Sequence, residues 1–189
     1  MITYPTASVF PPLPLGGMPL SDLQKEVIAL KQAKDAIILA HNYQCEDIQG
    51  IADFVGDSLG LAYQAKATDA AVIAFCGVHF MAESAKILAP DRRVLIPDLE
   101  AGCSLASSIT ADDVRALRAQ HPGVPVVSYV NTSAAVKAVS DACCTSANAV
   151  QVVEAMGSEK VIFLPDRFLG AYVASQTDVE LVLWNGACE

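Results

Sequence analysis

The chain has 189 residues, 53% of them hydrophobic and 17% charged, enough apolar content for a sizeable core and too little charge for a disordered segment. A net charge of -9 without any Lys/Arg run excludes a nucleic-acid surface, which draws its affinity from clustered cations. The apolar stretches are broken by Asp, Asn, His or Pro after a few residues, too short for a bilayer-spanning helix, so no membrane partner is expected.

Residues 1–20 contain five prolines and no basic leader segment, and they read as an extended N-terminal arm rather than a signal peptide. The expected compartment is therefore the cytoplasm. Ser21 followed by Gln24 forms a capping-box pattern that opens a helix through residue 33, with Leu23, Val27 and Leu30 as a one-sided apolar stripe. A buried strand follows at 36–40. Helical text at 57–67, a strand at 71–75, a helix at 79–88 and a strand at 93–96 lead into a turn holding Gly102 and Cys103.

The second half repeats the alternation. Thr110 with Asp113 caps a helix to 120, strands follow at 124–130 and 160–164 around helical text at 146–156, and a last strand at 180–184 leads to Gly186 and Cys188. Short strands between longer helices indicate parallel βαβ units. An internal repeat underlies them: AIILAHN (36–42) matches PVVSYVN (125–131) and VIAFC (72–76) matches VIFLP (161–165), both displaced by 89 positions. LEAGC (99–103) matches WNGAC (184–188) at 85, so a short insertion or deletion separates the copies. The predicted boundaries are 1–20 for the arm, 21–107 for the first αβ repeat and 108–189 for the second.

Six cysteines (Cys45, Cys76, Cys103, Cys143, Cys144, Cys188) contain no CxxC pair, which weakens a zinc reading. Cys103 and Cys188 each follow a strand and a glycine, at the strand end where open parallel sheets bind ligands, so the pair is a candidate metal site converging on one point. Cys103 precedes SLASSI, a segment able to open a helix whose positive end suits a metal-bound thiolate or a nucleophile. His41, Asn42, Tyr43 and Gln44 follow a buried strand directly, and such groups bind carboxylates and move protons. Ser58 and Ser146 stand near helix starts at comparable places of the two repeats, suited to anions or to ordinary capping. Tyr129 and Asn131 share one face of a buried strand and require a partner there, either a ligand or a neighbouring loop. His79 with Glu83, spaced for a helical metal pair, reads better as an exposed or core-satisfied pair, and His121 as solvent-facing.

With these residues assembled, the chain resembles the quinolinate synthase family. The matching strings are LAHNYQ (39–44), DFVGDSL (53–59), FCGVHFMAESAKIL (75–88), AGCSLA (101–106), VSYVNTSAAVKA (127–138) and CTSANA (144–149). The resemblance implies an α/β fold of repeated Rossmann-like three-layer units with short parallel sheets, two of an expected three pseudo-threefold repeats. It also implies a 4Fe-4S cluster at their centre, with Cys103 and Cys188 as two of three ligands. His41, Ser58, Tyr129, Asn131 and Ser146 match substrate-binding positions, and Tyr43 matches a catalytic acid/base. The implied substrates are iminoaspartate and dihydroxyacetone phosphate, and the enzyme that supplies iminoaspartate is an implied partner. A third repeat and third cysteine are missing from these residues, so the chain alone is expected to be inactive and prone to self-association. Two other readings stay open: a hydrolase or transferase with Cys103 as nucleophile and His41 or His79 as base, and a small-anion binding module.

Overall fold

The computed structural model describes residues 20–188 and the backbone of Val9 and Phe10; most of the predicted arm, 1–20, lies outside the described residues. The chain divides into two compact units, Met1–Ala101 and Gly102–Glu189.

The first unit runs β1 (Val9–Phe10), α1 (Asp22–Ala33), β2 (Ala36–His41), α2 (Glu46–Gln49), β3 (Phe54–Gly56), α3 (Ser58–Ala67), β4 (Val72–Cys76), α4 (His79–Leu88) and β5 (Arg93–Leu95). Its sheet has the order β1-β3-β2-β4-β5, parallel except for β1, which pairs antiparallel with β3. The second unit runs α5 (Ser104–Ser107), α6 (Ala111–Gln120), β6 (Val126–Tyr129), α7 (Ala134–Lys137), β7 (Ala142–Cys144), α8 (Ala149–Ala155), β8 (Lys160–Leu164), α9 (Arg167–Ala174) and β9 (Glu180–Leu183). Its four strands are all parallel in the order β7-β6-β8-β9. Apart from β1, both sheets therefore place their strands second-first-third-fourth, a Rossmann-like arrangement flanked by helices.

Both predicted capping boxes form. The Ser21 hydroxyl accepts from Gln24 N–H at 3.2 Å while Gln24 accepts from Ser21 N–H at 2.9 Å, and Thr110 and Asp113 reciprocate in the same way. The predicted stripe on α1 is only partly realised. Val27 packs against Ile38, Ala40 and Val55, but Leu23 and Leu30 are 69% and 56% exposed.

Alternation along the strands builds the core. On β8, Val161 and Phe163 join one cluster with Val127, Val153 and Val173, while Ile162 and Leu164 join another with Val114, Val126 and Val136. All of these side chains are fully buried, each worth about 1.5–3 kcal/mol for the larger aliphatics and Phe.

A polar clamp recurs in both units. Asp53 accepts from Ile38 N–H at 2.7 Å and pairs with Lys31 at 2.8 Å; Asp141 accepts from Val126 N–H at 2.7 Å and pairs with Arg118 at 2.6 Å. Lys31 also donates to Ile51 O and Arg118 to Val139 O. The correspondence of Asp53 to Asp141 and of Ile38 to Val126, with the pairing of His41 to Gly56 and of Tyr129 to Cys144, sets the strand repeat at 88 positions, one fewer than the aligned asparagines imply. The one-residue difference matters because strand faces alternate: His41 corresponds to Tyr129, and Tyr43 to Asn131.

Candidate functional site

In the first unit the predicted polar residues sit at the C-terminal ends of two neighbouring strands. His41 closes β2 opposite Gly56 of β3, and Asp57 and Ser58 follow at the start of α3. Asn42 N–H donates to Gly56 O at 3.0 Å, and Gln44 N–H donates to His41 O at 3.0 Å, which turns the chain sharply after the strand. Tyr43 N–H donates to His41 Nδ1 at 3.3 Å, and the two rings stack at 4.1 Å between centroids. With Nδ1 accepting, the neutral imidazole carries its proton on Nε2. Partial burial holds the His41 pKa below its ordinary 6.5, and the Asp57 carboxylate offsets part of that drop. Asp57 caps α3 by accepting from Gly60 N–H at 2.7 Å, so the Ser58 hydroxyl lies beside an occupied cap. Tyr43 is 53% exposed at this edge.

In the second unit Tyr129 is the last residue of β6, paired with Cys144 of β7. Asn131 lies beyond the strand end, in the bend that follows, rather than on the strand face that the sequence predicts. The bend is fixed by Val130 N–H to Cys144 O at 2.8 Å and by the Thr132 hydroxyl to Tyr129 O at 3.1 Å. Ser146 is exposed in the turn ahead of α8. It differs in this from Ser58, which is the first residue of its helix; the turn ahead of α8 is held by Thr145 N–H donating to Asn148 Oδ1 at 2.7 Å.

The two cysteine segments are joined within this unit. Cys103 is the half-buried cap residue of α5, a single turn, and Cys188 lies exposed after β9. Trp184 Nε1–H donates to Ser108 O at 3.0 Å, linking the end of β9 to the end of the Cys103 turn. Gly186 N–H donates to Pro165 O at 3.1 Å, and Gly186 O accepts from Arg167 N–H at 2.9 Å. A Cβ at Gly186 would stand 2.5 Å from Pro165 O and 2.6 Å from Ser108 Oγ, so this position has room only for glycine. Burial raises the Tyr129 pKa, and the negative charge of Asp166 raises it further. Tyr129 thus stays a protonated donor at the end of β6.

Asp166 is absent from the sequence-based candidates. Its signal was available, since it follows the strand VIFLP at a C-terminal end. It caps α9 by accepting from Phe168 and Leu169 N–H at 2.7 and 3.0 Å. Cys144 is buried with its pKa pushed up to about 12, which marks it as core. His79 is exposed at the start of α4, and His121 is half-buried at the end of α6 rather than solvent-facing. Among the described residues no group of three or more His, Cys, Asp or Glu side chains is gathered around a metal position. No helix among them is long and apolar enough to cross a membrane.

These features define an α/β protein whose parallel strands end in loops bearing polar groups, an imidazole, phenol, amide and hydroxyl in the first unit and a phenol, amide and hydroxyl with the Cys103 and Cys188 thiols in the second. The family model described as quinolinate synthetase A protein matches residues 25–189, and the chain belongs to that family. It is 56% identical over 167 residues to a quinolinate synthase of Geotalea uraniireducens, covering 88% of this chain and 55% of that relative. It is 60% identical over 164 residues to quinolinate synthase 2 of Mesorhizobium japonicum, covering 86% and 51%, and 59% identical over 169 residues to a quinolinate synthase of Caulobacter vibrioides, covering 87% and 46%. The chain spans about half the length of the curated relatives it matches.

Proposed function

We propose that this chain forms part of a cytoplasmic quinolinate synthase, which condenses iminoaspartate with dihydroxyacetone phosphate to quinolinate and releases phosphate and water. The observation that carries the reading is the pair of cysteine segments, joined within one unit through the Trp184 to Ser108 hydrogen bond. Two free, solvent-reachable thiols fit two ligand positions of a 4Fe-4S cluster, with the third thiolate coming from polypeptide outside these residues. When bound, such a cluster supplies an open Lewis-acidic iron that assists loss of a hydroxyl.

The remaining roles fall to the strand-end residues. His41, neutral and protonated on Nε2, donates to a substrate oxygen. Tyr43 exchanges protons at the exposed edge. Ser58 and Ser146 donate hydroxyls to carboxylate or phosphate oxygens, Tyr129 donates from a phenol held protonated, and Asn131 offers its amide. The repeats, 21–107 and 108–189, belong to a pseudo-threefold assembly, and the enzyme supplying iminoaspartate is the protein partner to look for. Neither nucleic acid nor membrane takes part.

Anaerobic reconstitution with iron and sulfide, alone and with the C-terminal half of the Geotalea uraniireducens relative added, tests the reading. A 4Fe-4S absorbance and paramagnetic signal that requires the added half, gives quinolinate, and is lost in Cys103→Ser or Cys188→Ser is the expected result. Absence of a cluster in both mixtures would overturn it.

A further inference from the structure

Gln49 is among the few buried polar side chains, 8% exposed, and ends the four-residue helix α2. Its amide donates to Asn42 O at 3.2 Å and to Gln44 O at 2.6 Å, the two carbonyls that bracket Tyr43 in the turn after β2. Lys137 stands 88 positions later, at the corresponding end of the four-residue helix α7, and its ammonium donates to Thr132 O. Thr132 is itself the counterpart of Gln44 at the same spacing, in the bend that carries Asn131. Two chemically different side chains therefore do one job: each reaches back from a short helix to tie down the carbonyls of the loop after its unit's first strand.

Tertiary packing alone does not require this. A buried loop carbonyl needs a donor, but a backbone N–H or a water would satisfy it without fixing where the loop side chains point. A long side chain anchored in a helix fixes the carbonyl in space. In the first unit it thereby fixes the geometry in which Tyr43 N–H reaches His41 Nδ1.

We propose that Gln49 and Lys137 are positioning residues for the ligand-binding loops, Gln49 for the loop of His41 and Tyr43 and Lys137 for that of Tyr129 and Asn131. The inference rests on the proposed function only in taking those loops as ligand-binding. The test uses neither turnover nor cluster, so failure of the enzymatic reading and failure of this one are told apart.

Amide hydrogen exchange and the nitrogen shifts of the His41 ring are measured by magnetic resonance on the 189-residue chain and on Gln49→Leu, Gln49→Lys, Lys137→Met and Lys137→Gln. In Gln49→Leu, exchange at Asn42 and Gln44 rises about tenfold or more while core amides such as Leu39 keep their protection. The His41 ring loses its Nδ1-acceptor signature in the same variant, a change that a general loss of stability with the fold intact would not produce. Lys137→Met gives the matching rise at Val130 and Thr132 and leaves the first loop unaffected. The exchanged donors, Gln49→Lys and Lys137→Gln, restore loop protection because each already serves in the other unit. Unchanged loop exchange in the two apolar variants, or a rise shared equally by loop and core, overturns the proposal. Should an apolar variant fail to fold, the exchanged-donor variants decide: a folded Gln49→Lys with an unprotected loop overturns it as well.

Discussion

Gly186→Ala is the sharpest test of how the cysteine segments are held. The added Cβ falls 2.5 Å from a backbone carbonyl oxygen, Pro165 O, which cannot rotate away, and 2.6 Å from Ser108 Oγ. The serine can turn, but only by giving up its 2.8 Å hydrogen bond to Leu105 O at the end of the Cys103 turn. Overpacking costs about 1–3 kcal/mol and the lost hydrogen bond about 0.5–1.5 kcal/mol, so a destabilisation of roughly 2–4 kcal/mol is expected. For a unit of this size that lowers the melting temperature by roughly 10–20 °C. Calorimetry on the reduced chain reads the loss, with Gly123→Ala as the contrast. Gly123 has φ +80, but a Cβ added there would meet no atom within 4 Å, so the substitution adds only backbone strain. That strain is about 1 kcal/mol. The alkylation rate at Cys103 supplies a second readout, because backing the 184–188 segment away from Ser108 uncovers this half-buried thiol, with the already exposed Cys188 as internal reference. A Gly186→Ala chain that melts with the wild type and alkylates at wild-type rates would refute the steric argument.

Asp53→Ala and Asp141→Ala each leave a strand N–H without its acceptor and a basic side chain without its partner. Each is expected to cost about 2–3 kcal/mol in urea denaturation, and a near-neutral result in either unit would contradict the shared clamp. The His41 ring titrates below its ordinary 6.5, and Asp57→Asn lowers the midpoint further by removing the charge that opposes the burial effect; an upward shift would count against that assignment. Because the folded pKa is the lower one, this group's contribution to stability is complete above the unfolded pKa and is lost as pH falls through the folded value, when the unfolded chain takes up the proton first. Cys144, with its pKa pushed up to about 12, stays unmodified by iodoacetamide at mildly alkaline pH while the exposed Cys45 is labelled, and mass spectrometry distinguishes the two.

Much of the fold was legible because its signals are local. Capping boxes at Ser21 and Thr110 fixed two helix starts, and the helix His79–Leu88 and the strand Lys160–Leu164 have the predicted bounds. The three-residue strands β3 and β7 and the one-turn helices α2 and α7 escaped, being too short to show a period, whereas the one-turn α5 lies in the SLASSI segment expected to open a helix. The repeat was visible but out of register by one, since the shared asparagines Asn42 and Asn131 outweighed the strand pairing that only three dimensions reveal. Leu23 and Leu30 looked like core because apolar spacing records periodicity and says nothing about what covers the face. At the site, strand-end position identified His41, Tyr129 and the glycine-cysteine turns. Asp166 had the same strand-end signal and a local capping pattern, whereas Gln49 and Lys137 bond to carbonyls of the loop that precedes their helices, which composition does not record.

The clamps of Asp53 and Asp141 lie at the beginnings of β3 and β7, while His41, Tyr43, Tyr129 and Asn131 lie at or beyond the finishing ends of β2 and β6. Each unit therefore keeps its anchorage at one pole of the sheet and its polar strand-end loops at the other. The basic partner at the anchored pole already differs between the units, Lys31 in one and Arg118 in the other, while the opposite pole holds polar groups that a stabilising core would reject.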